Sequence, residues 1–281
     1  MDVRNAIKFM ILSTMAFACM NVVVKYLDNV NTYQIVFFRS LGSLFFTFGY
    51  LLKNKIPLIG NKNKLLILRS VVGATSMLFF FMSVKYLSVG TAVSLRYTAP
   101  IFAAIFAVFI LKEQIKTLQW LFFVVSFIGV LILKGIDNQM DTTGLLLVII
   151  AAMLSGLVYI MINQIGQSEH PVVVVNYFMV TAMILGGVLS IGNWVTPTGN
   201  EWPLLFSLGV FGYFGQIYMT KAFQTASTNI IAPLKYVEVV FTVLLGITLF
   251  NEVYTFWSLF GMVLIISGLV LNVWYKGKLK Q

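Results

Sequence analysis

Apolar runs of about twenty residues, each closed by a short polar stretch, follow one another from end to end of this 281-residue chain. A helix needs roughly 20 apolar residues to cross a hydrocarbon core of about 30 Å. The pattern predicts ten such spans, at 7–27, 32–52, 65–87, 91–111, 118–134, 143–163, 172–192, 203–224, 229–250 and 255–275. The first is too long, and too poor in a small-residue cleavage site, to read as a removed signal peptide. The stretches between spans are too short to form a soluble domain, so any chemistry belongs to the spans or to short loops.

The polar residues orient the spans. Arg4 and Lys8, then Lys53, Lys55, Lys62 and Lys64, then Lys112 and Lys116, and finally Lys276, Lys278 and Lys280 mark every second connection in the first half and the C-terminal tail. The alternate connections at 28–32, 88–90, 193–202 and 251–254 carry no Lys or Arg. Cytoplasmic loops are the Lys/Arg-rich ones, so both termini are expected in the cytoplasm of a cell (inner) membrane, with an even number of spans. Trp120, Trp194, Trp202, Trp257 and Trp274 all fall near predicted span ends, at the headgroup level that suits an amphipathic ring.

Composition agrees and removes other classes. Hydrophobic residues make up 59% and charged residues 10%, whereas about a quarter of a soluble domain is charged. The net charge of +10 sits at span ends rather than on one face, which argues against nucleic acid. Cys19 is the single cysteine and His170 the single histidine, so no disulfide within the chain and no metal cluster is expected, and no cofactor is called for.

An internal repeat adds organisation. Ser88-Val-Gly-Thr-Ala-Val-Ser-Leu-Arg-Tyr97 aligns without a gap to Ser227-Thr-Asn-Ile-Ile-Ala-Pro-Leu-Lys-Tyr236. The register continues through Phe102 and Phe241, Glu113 and Glu252, and Gly129 and Gly268, at a constant offset of 252 − 113 = 139. Five spans separate the copies, and five is odd, so the halves run in opposite senses. The expectation is an all-α polytopic membrane protein with ten transmembrane helices. They form two inverted five-helix repeats, 1–138 and 139–281, around a central cavity, a common transporter plan.

Several residues, taken in order, resemble the drug/metabolite transporter superfamily in its EamA branch. They are Phe37-Phe-Arg-Ser40, Arg69-Ser-Val-Val-Gly73, Pro100, Leu111-Lys-Glu113 with Gly129, Gly215-Gln-Ile-Tyr-Met-Thr-Lys-Ala222, Glu252 and Gly268. The resemblance spans nearly the whole chain. It implies inverted repeats, a central cavity and alternating access, with cargo ranging from amino acids and nucleotide sugars to organic anions and drugs.

Ionisable residues inside spans are costly and mark functional candidates. Arg96 and Lys235 are repeat equivalents, each roughly 8–10 Å deep at 1.5 Å per residue. They could attract a carboxylate or phosphate, or snorkel to the headgroups. Tyr97 and Tyr236 follow them and are candidates for the cavity wall. Glu238 shares a helical face with Lys235, which suits a salt bridge, a partner for a substrate amine or a proton site. Arg39 and Arg69 read as interfacial anchors or interhelical partners, and Lys85 and Lys221 as snorkelling residues. Glu113 and Glu252 end their spans, where a carboxylate opposes the helix dipole, and read as locks to a neighbouring helix or loop. Gly209, Gly212 and Gly215 give the eighth span a small face for close packing.

The expected function is transport of a small organic metabolite, an amino acid or organic anion, by a monomer or homodimer in a lipid bilayer. Proton coupling through Glu238 and facilitated diffusion fit equally. A multidrug or lipophilic-cation exporter is the alternative. An intramembrane enzyme lacks its parts: no aspartate lies in a span and no His-Glu-x-x-His motif exists.

Overall fold

Where the apolar runs meet polar residues, the chain builds capped helix ends. Asn31 accepts from the Tyr33 N–H at 2.9 Å and starts the second helix. Ser88 caps the fourth through the Thr91 N–H. His170 Nδ1 accepts from the Val172 N–H, with Pro171 in the first turn of the eighth helix. Each side chain takes up a backbone donor that the helix itself leaves orphaned.

The computed structural model describes residues 3–110, 116–136, 141–165, 168–225 and 232–278. The described residues form α1 (Val3–Tyr26), α2 (Thr32–Lys53), α3 (Asn63–Tyr86), α4 (Val89–Arg96), α5 (Ala99–Ile110) and α6 (Thr117–Ile136). There follow α7 (Thr142–Ile165), α8 (Pro171–Ser190), α9 (Glu201–Thr225), a 3₁₀ turn (Ala232–Tyr236), α10 (Val237–Phe250) and α11 (Phe256–Lys278). Among them no strand occurs. Among the described residues, six segments are long and apolar enough to cross a membrane: Arg4–Tyr26, Thr32–Lys53, Asn63–Tyr86, Val89–Ile110, Thr142–Ile162 and Pro171–Ser190. Phe45, Phe109, Val188 and Phe256 stand exposed on the outside, as a lipid-facing surface requires. All five tryptophans are exposed too.

Two predicted spans are not continuous helices. The span expected at 91–111 is broken between α4 and α5, where Pro100 lacks the N–H that would continue the helix. The span expected at 229–250 enters through the 3₁₀ turn before α10. Arg96 and Lys235 therefore lie at breaks rather than within helices.

Helices pack in recurring pairs: α1 on α9, α3 on α7, α2 on α8, and α6 on α11. Small residues set these distances. A Cβ added at Gly42 would stand 2.8 Å from the Gly209 Cα, and one at Gly209 would stand 2.6 Å from the Gly42 Cα. The backbones of α2 and α9 thus touch, as the small face of α9 predicts, and Ser43 Oγ donates to the Gly209 carbonyl across the contact at 3.1 Å. Between α6 and α11 the contacts are reciprocal. A Cβ at Gly129 would meet Ile265 N at 2.9 Å, and one at Gly268 would meet Ser126 N at 3.0 Å. Both residue pairs are related by 139 positions, 268 − 129 and 265 − 126.

Lysines and a glutamate secure the loops. Lys25 Nζ donates to the Val84 and Leu87 carbonyls at the end of α3. Lys85 Nζ donates to the Asp28 and Val30 carbonyls at 2.8 and 2.6 Å. Lys85 thus holds the loop between α1 and α2 instead of snorkelling. Glu169 accepts from the Asn61 and Lys62 N–H groups at the start of α3.

Candidate functional site

The breaks beside Arg96 and Lys235 open into a cavity of about 150 Å³, well above the roughly 10–15 Å³ that one water needs by the same measure. Helical spacing selects its walls. Arg69, Gly73, Ser76 and Met77 lie along one face of α3, and Ser155, Val158, Tyr159 and Ile162 along one face of α7. Arg39, Phe178, Arg96, Tyr97, Lys235 and Glu238 complete the polar and aromatic part.

Glu238 is 4% exposed and holds two neutral donors, one on each oxygen. The Tyr97 hydroxyl lies 2.6 Å from Oε2, and Asn21 Nδ2 donates to Oε1 at 3.0 Å. The same Tyr97 hydroxyl is 3.0 Å from the Lys235 carbonyl, in the 3₁₀ turn. The Lys235–Glu238 salt bridge entertained from sequence does not form. Lys235 Nζ instead stands 6.0 Å from the centroid of the Tyr97 ring. Tyr236 is buried and packs edge-on against Tyr97, with centroids 5.1 Å apart. Arg96 lies over Phe80 at 4.3 Å.

Arg39 and Arg69 are not interfacial anchors. Arg39 is 3% exposed. Its Nε points to the Met20 sulfur at 3.3 Å, and its Nη1 to Met77 at 2.8 Å and Met179 at 3.7 Å, so it does serve as an interhelical partner. Arg69 Nε and Nη1 are buried with no hydrogen-bond acceptor. The two guanidinium carbons lie 5.8 and 4.9 Å from the centroid of one ring, Phe178. The cavity thus gathers four cations, Arg39, Arg69, Arg96 and Lys235, and one carboxylate, Glu238. Among the described residues none of the four has an acid within 4.0 Å.

Sequence reasoning brings Arg96, Tyr97, Lys235 and Glu238 to this place, with Tyr236 behind Tyr97. It misses Arg39 and Arg69 as members of the wall, and Asn21 as a partner of Glu238. Asn21 carries no charge and so no signal. Arg39 and Arg69 lie seven residues or fewer from their helix starts, where snorkelling looks feasible.

Glu252 lies apart from the cavity, as a lock. Its Oε1 accepts from the Val89 N–H at 3.1 Å, its Oε2 accepts from the Tyr254 hydroxyl, and that hydroxyl accepts from the Gly90 N–H at 3.3 Å. A carboxylate at the positive end of α4 is favourable, which resolves its unfavourable place at the end of α10. Burial, then the bond to Glu252 and its charge, hold the Tyr254 hydroxyl above the usual tyrosine range, so it stays a donor. Glu113 lies outside the described residues.

The chain matches the EamA-like transporter family over residues 4–134 and 142–274. It is 26% identical over 289 residues to human Solute carrier family 35 member G1, covering 95% of this chain and 79% of that protein. It is 27% identical over 273 residues to the pseudopaline exporter CntI of Pseudomonas aeruginosa, covering 95% of each. It is 26% identical over 282 residues to the S-adenosylmethionine uptake transporter of Rickettsia prowazekii, covering 98% of this chain and 94% of that one. A crystal structure 14% identical in sequence superposes with a TM-score of 0.71 over 98% of this chain and 99% of the other, which shows a common fold.

Proposed function

The chain belongs to the EamA-like transporter family, and from that premise we propose that it carries a small organic anion or amino acid through the central cavity by alternating access. It is a multi-pass membrane transporter of a small molecule, and not an enzyme, as its relatives are named transporters. The observation that carries the substrate class is the cavity of four cations and one carboxylate. Arg96 and Lys235 hold the anionic group, Arg through its planar fork and Lys as a point charge. Glu238, braced by Tyr97, takes a substrate amine or a proton.

The moving parts are two inverted five-helix halves, 1–138 and 139–281, with both termini in the cytoplasm of the cell membrane. The reciprocal contacts of α6 with α11, related by 139 residues, support this division. So do two interrupted segments at equivalent places beside the cavity, a pattern of transporter sites. Relatives named for pseudopaline export and S-adenosylmethionine uptake support a metabolite-sized cargo.

Purified protein in proteoliposomes tests the reading by counterflow of labelled amino acids and carboxylates. Arg96→Gln and Lys235→Gln should each raise the half-saturating concentration about tenfold or more, the worth of one charge-assisted hydrogen bond. Unchanged transport in both removes them from the site. A second reading, a lipophilic-cation exporter, is favoured by the single carboxylate set among Tyr97, Tyr159 and Tyr236. Saturable exchange of lipophilic cations alone would establish it and overturn the anion.

A further inference from the structure

We propose that Arg39, Phe178 and Arg69 form a second anion subsite in the same cavity, so that the cargo carries two separated anionic groups. The proposal rests on the transport reading above and narrows its substrate to solutes with two carboxylates, a dicarboxylate or an acidic amino acid.

Two guanidinium groups from different helices share one aromatic ring. Arg39 comes from α2 and Arg69 from α3, and both lie against the Phe178 ring of α8 at 5.8 and 4.9 Å. A ring quadrupole attracts each cation but offers their N–H groups no lone-pair acceptor. Glu238 forms no ion pair with either arginine; its hydrogen-bond partners are Tyr97 and Asn21.

The donors are also underused. Arg69 Nε and Nη1 are buried with no acceptor. The Nε and Nη1 atoms of Arg39 meet only thioether sulfurs, which accept weakly. A guanidinium fork matches a carboxylate bidentately, and both arginines line the cavity.

Gly73 shows how closely this arrangement is built. It stands one turn beyond Arg69, and a Cβ there would lie 3.3 Å from Phe178 Cδ2. Its lack of a side chain lets the ring sit against α3.

Charge then sets the stoichiometry. Four cations against one carboxylate leave an excess of three. One anionic group at Arg96 and Lys235 lowers it to two, and a second between Arg39 and Arg69 lowers it to one.

The test compares succinate with butyrate, which share a four-carbon chain and differ by one carboxylate. Binding is read by ligand-induced thermal stabilisation and by competition in counterflow at neutral pH. Wild type should bind succinate about tenfold or more tightly than butyrate, and Arg69→Gln should bring the two within about twofold. Arg69→Lys, which keeps the charge but loses the fork, should fall between. If Arg69→Gln fails to fold, Gly73→Ala shifts the ring with every charge in place, and it should lower the succinate preference as well. A succinate preference that survives in folded Arg69→Gln overturns the subsite. Equal binding of both acids by wild type overturns it while leaving the anion reading intact. Binding of neither acid overturns both.

Discussion

Glu238 reaches its place through two neutral donors from different parts of the chain, and this division sets what each donor is worth. Tyr97 brings a hydroxyl from the break after α4, at 2.6 Å, and Asn21 an amide from the middle of α1, at 3.0 Å. A buried hydrogen bond to a charged group contributes about 1.5–3 kcal/mol. Tyr97→Phe should therefore lower stability by roughly that amount, seen as a lower Tm in detergent, and should weaken transport. Tyr236→Phe is the control. Its ring packs on Tyr97, so losing only the hydroxyl should change little. Equal losses in the two variants would mean that ring packing, and not the carboxylate contact, holds the site. The repeat alignment singled out both tyrosines but gave no reason to separate them. That reason is three-dimensional, since only the Tyr97 hydroxyl points to Glu238. Asn21 was illegible because an amide in an apolar run carries no charge signal. Arg39 was legible as costly, yet only the fold shows that its neighbours are sulfurs.

Among the elements, the helical runs were legible and their interruptions were not. An apolar run bounded by Asn31, Ser88 or His170 declares its start through capping chemistry. α2 and α8 accordingly begin at Thr32 and Pro171, on or within one residue of expectation. Pro100 is a weaker signal, because membrane helices tolerate proline where neighbours satisfy the freed carbonyl. The contact of α2 with α9 was half legible: the spacing of Gly209, Gly212 and Gly215 marks a small face, but not its partner. The partner is Gly42, and the consequence is measurable. In Gly209→Ala the new methyl would fall 2.6 Å from the Gly42 Cα, and backbone cannot yield as a flexible side chain does. Overpacking of this kind costs about 1–3 kcal/mol, so Tm should fall. Gly49→Ala on α2 meets nothing within 4 Å and gains helix propensity of up to about 1 kcal/mol, so its Tm should hold or rise. A Gly209→Ala protein as stable as wild type would show that the two helices are free to part.

For the molecule as a whole, alternating access requires that contacts closing one side be strong enough to hold and weak enough to break. We propose Glu252 as such a contact, since its carboxylate joins the connection between α10 and α11 to the first N–H of α4. These belong to opposite proposed halves. The sequence placed Glu252 as a lock from the dipole conflict alone, but it could not say that the partner is a second helix dipole of favourable sign. In the proposed orientation, with both termini cytoplasmic, connections 88–90 and 251–254 face outside the cell, so the lock should close the external mouth. Glu252→Gln keeps the side-chain volume and removes the charge. Losing the dipole interaction and the charge assistance should cost about 1–2 kcal/mol, which shifts a two-state population about tenfold toward the externally open form. Val93 lines the cavity and is 1% exposed, so it reports opening. With the single Cys19 replaced by serine, Val93→Cys should react slowly with a membrane-impermeant maleimide added outside right-side-out vesicles. Adding Glu252→Gln should raise that rate about tenfold. An unchanged rate would show that Glu252 braces a static loop. Acceleration only from the cytoplasmic side would reverse the orientation of every helix, and with it the assignment of both termini.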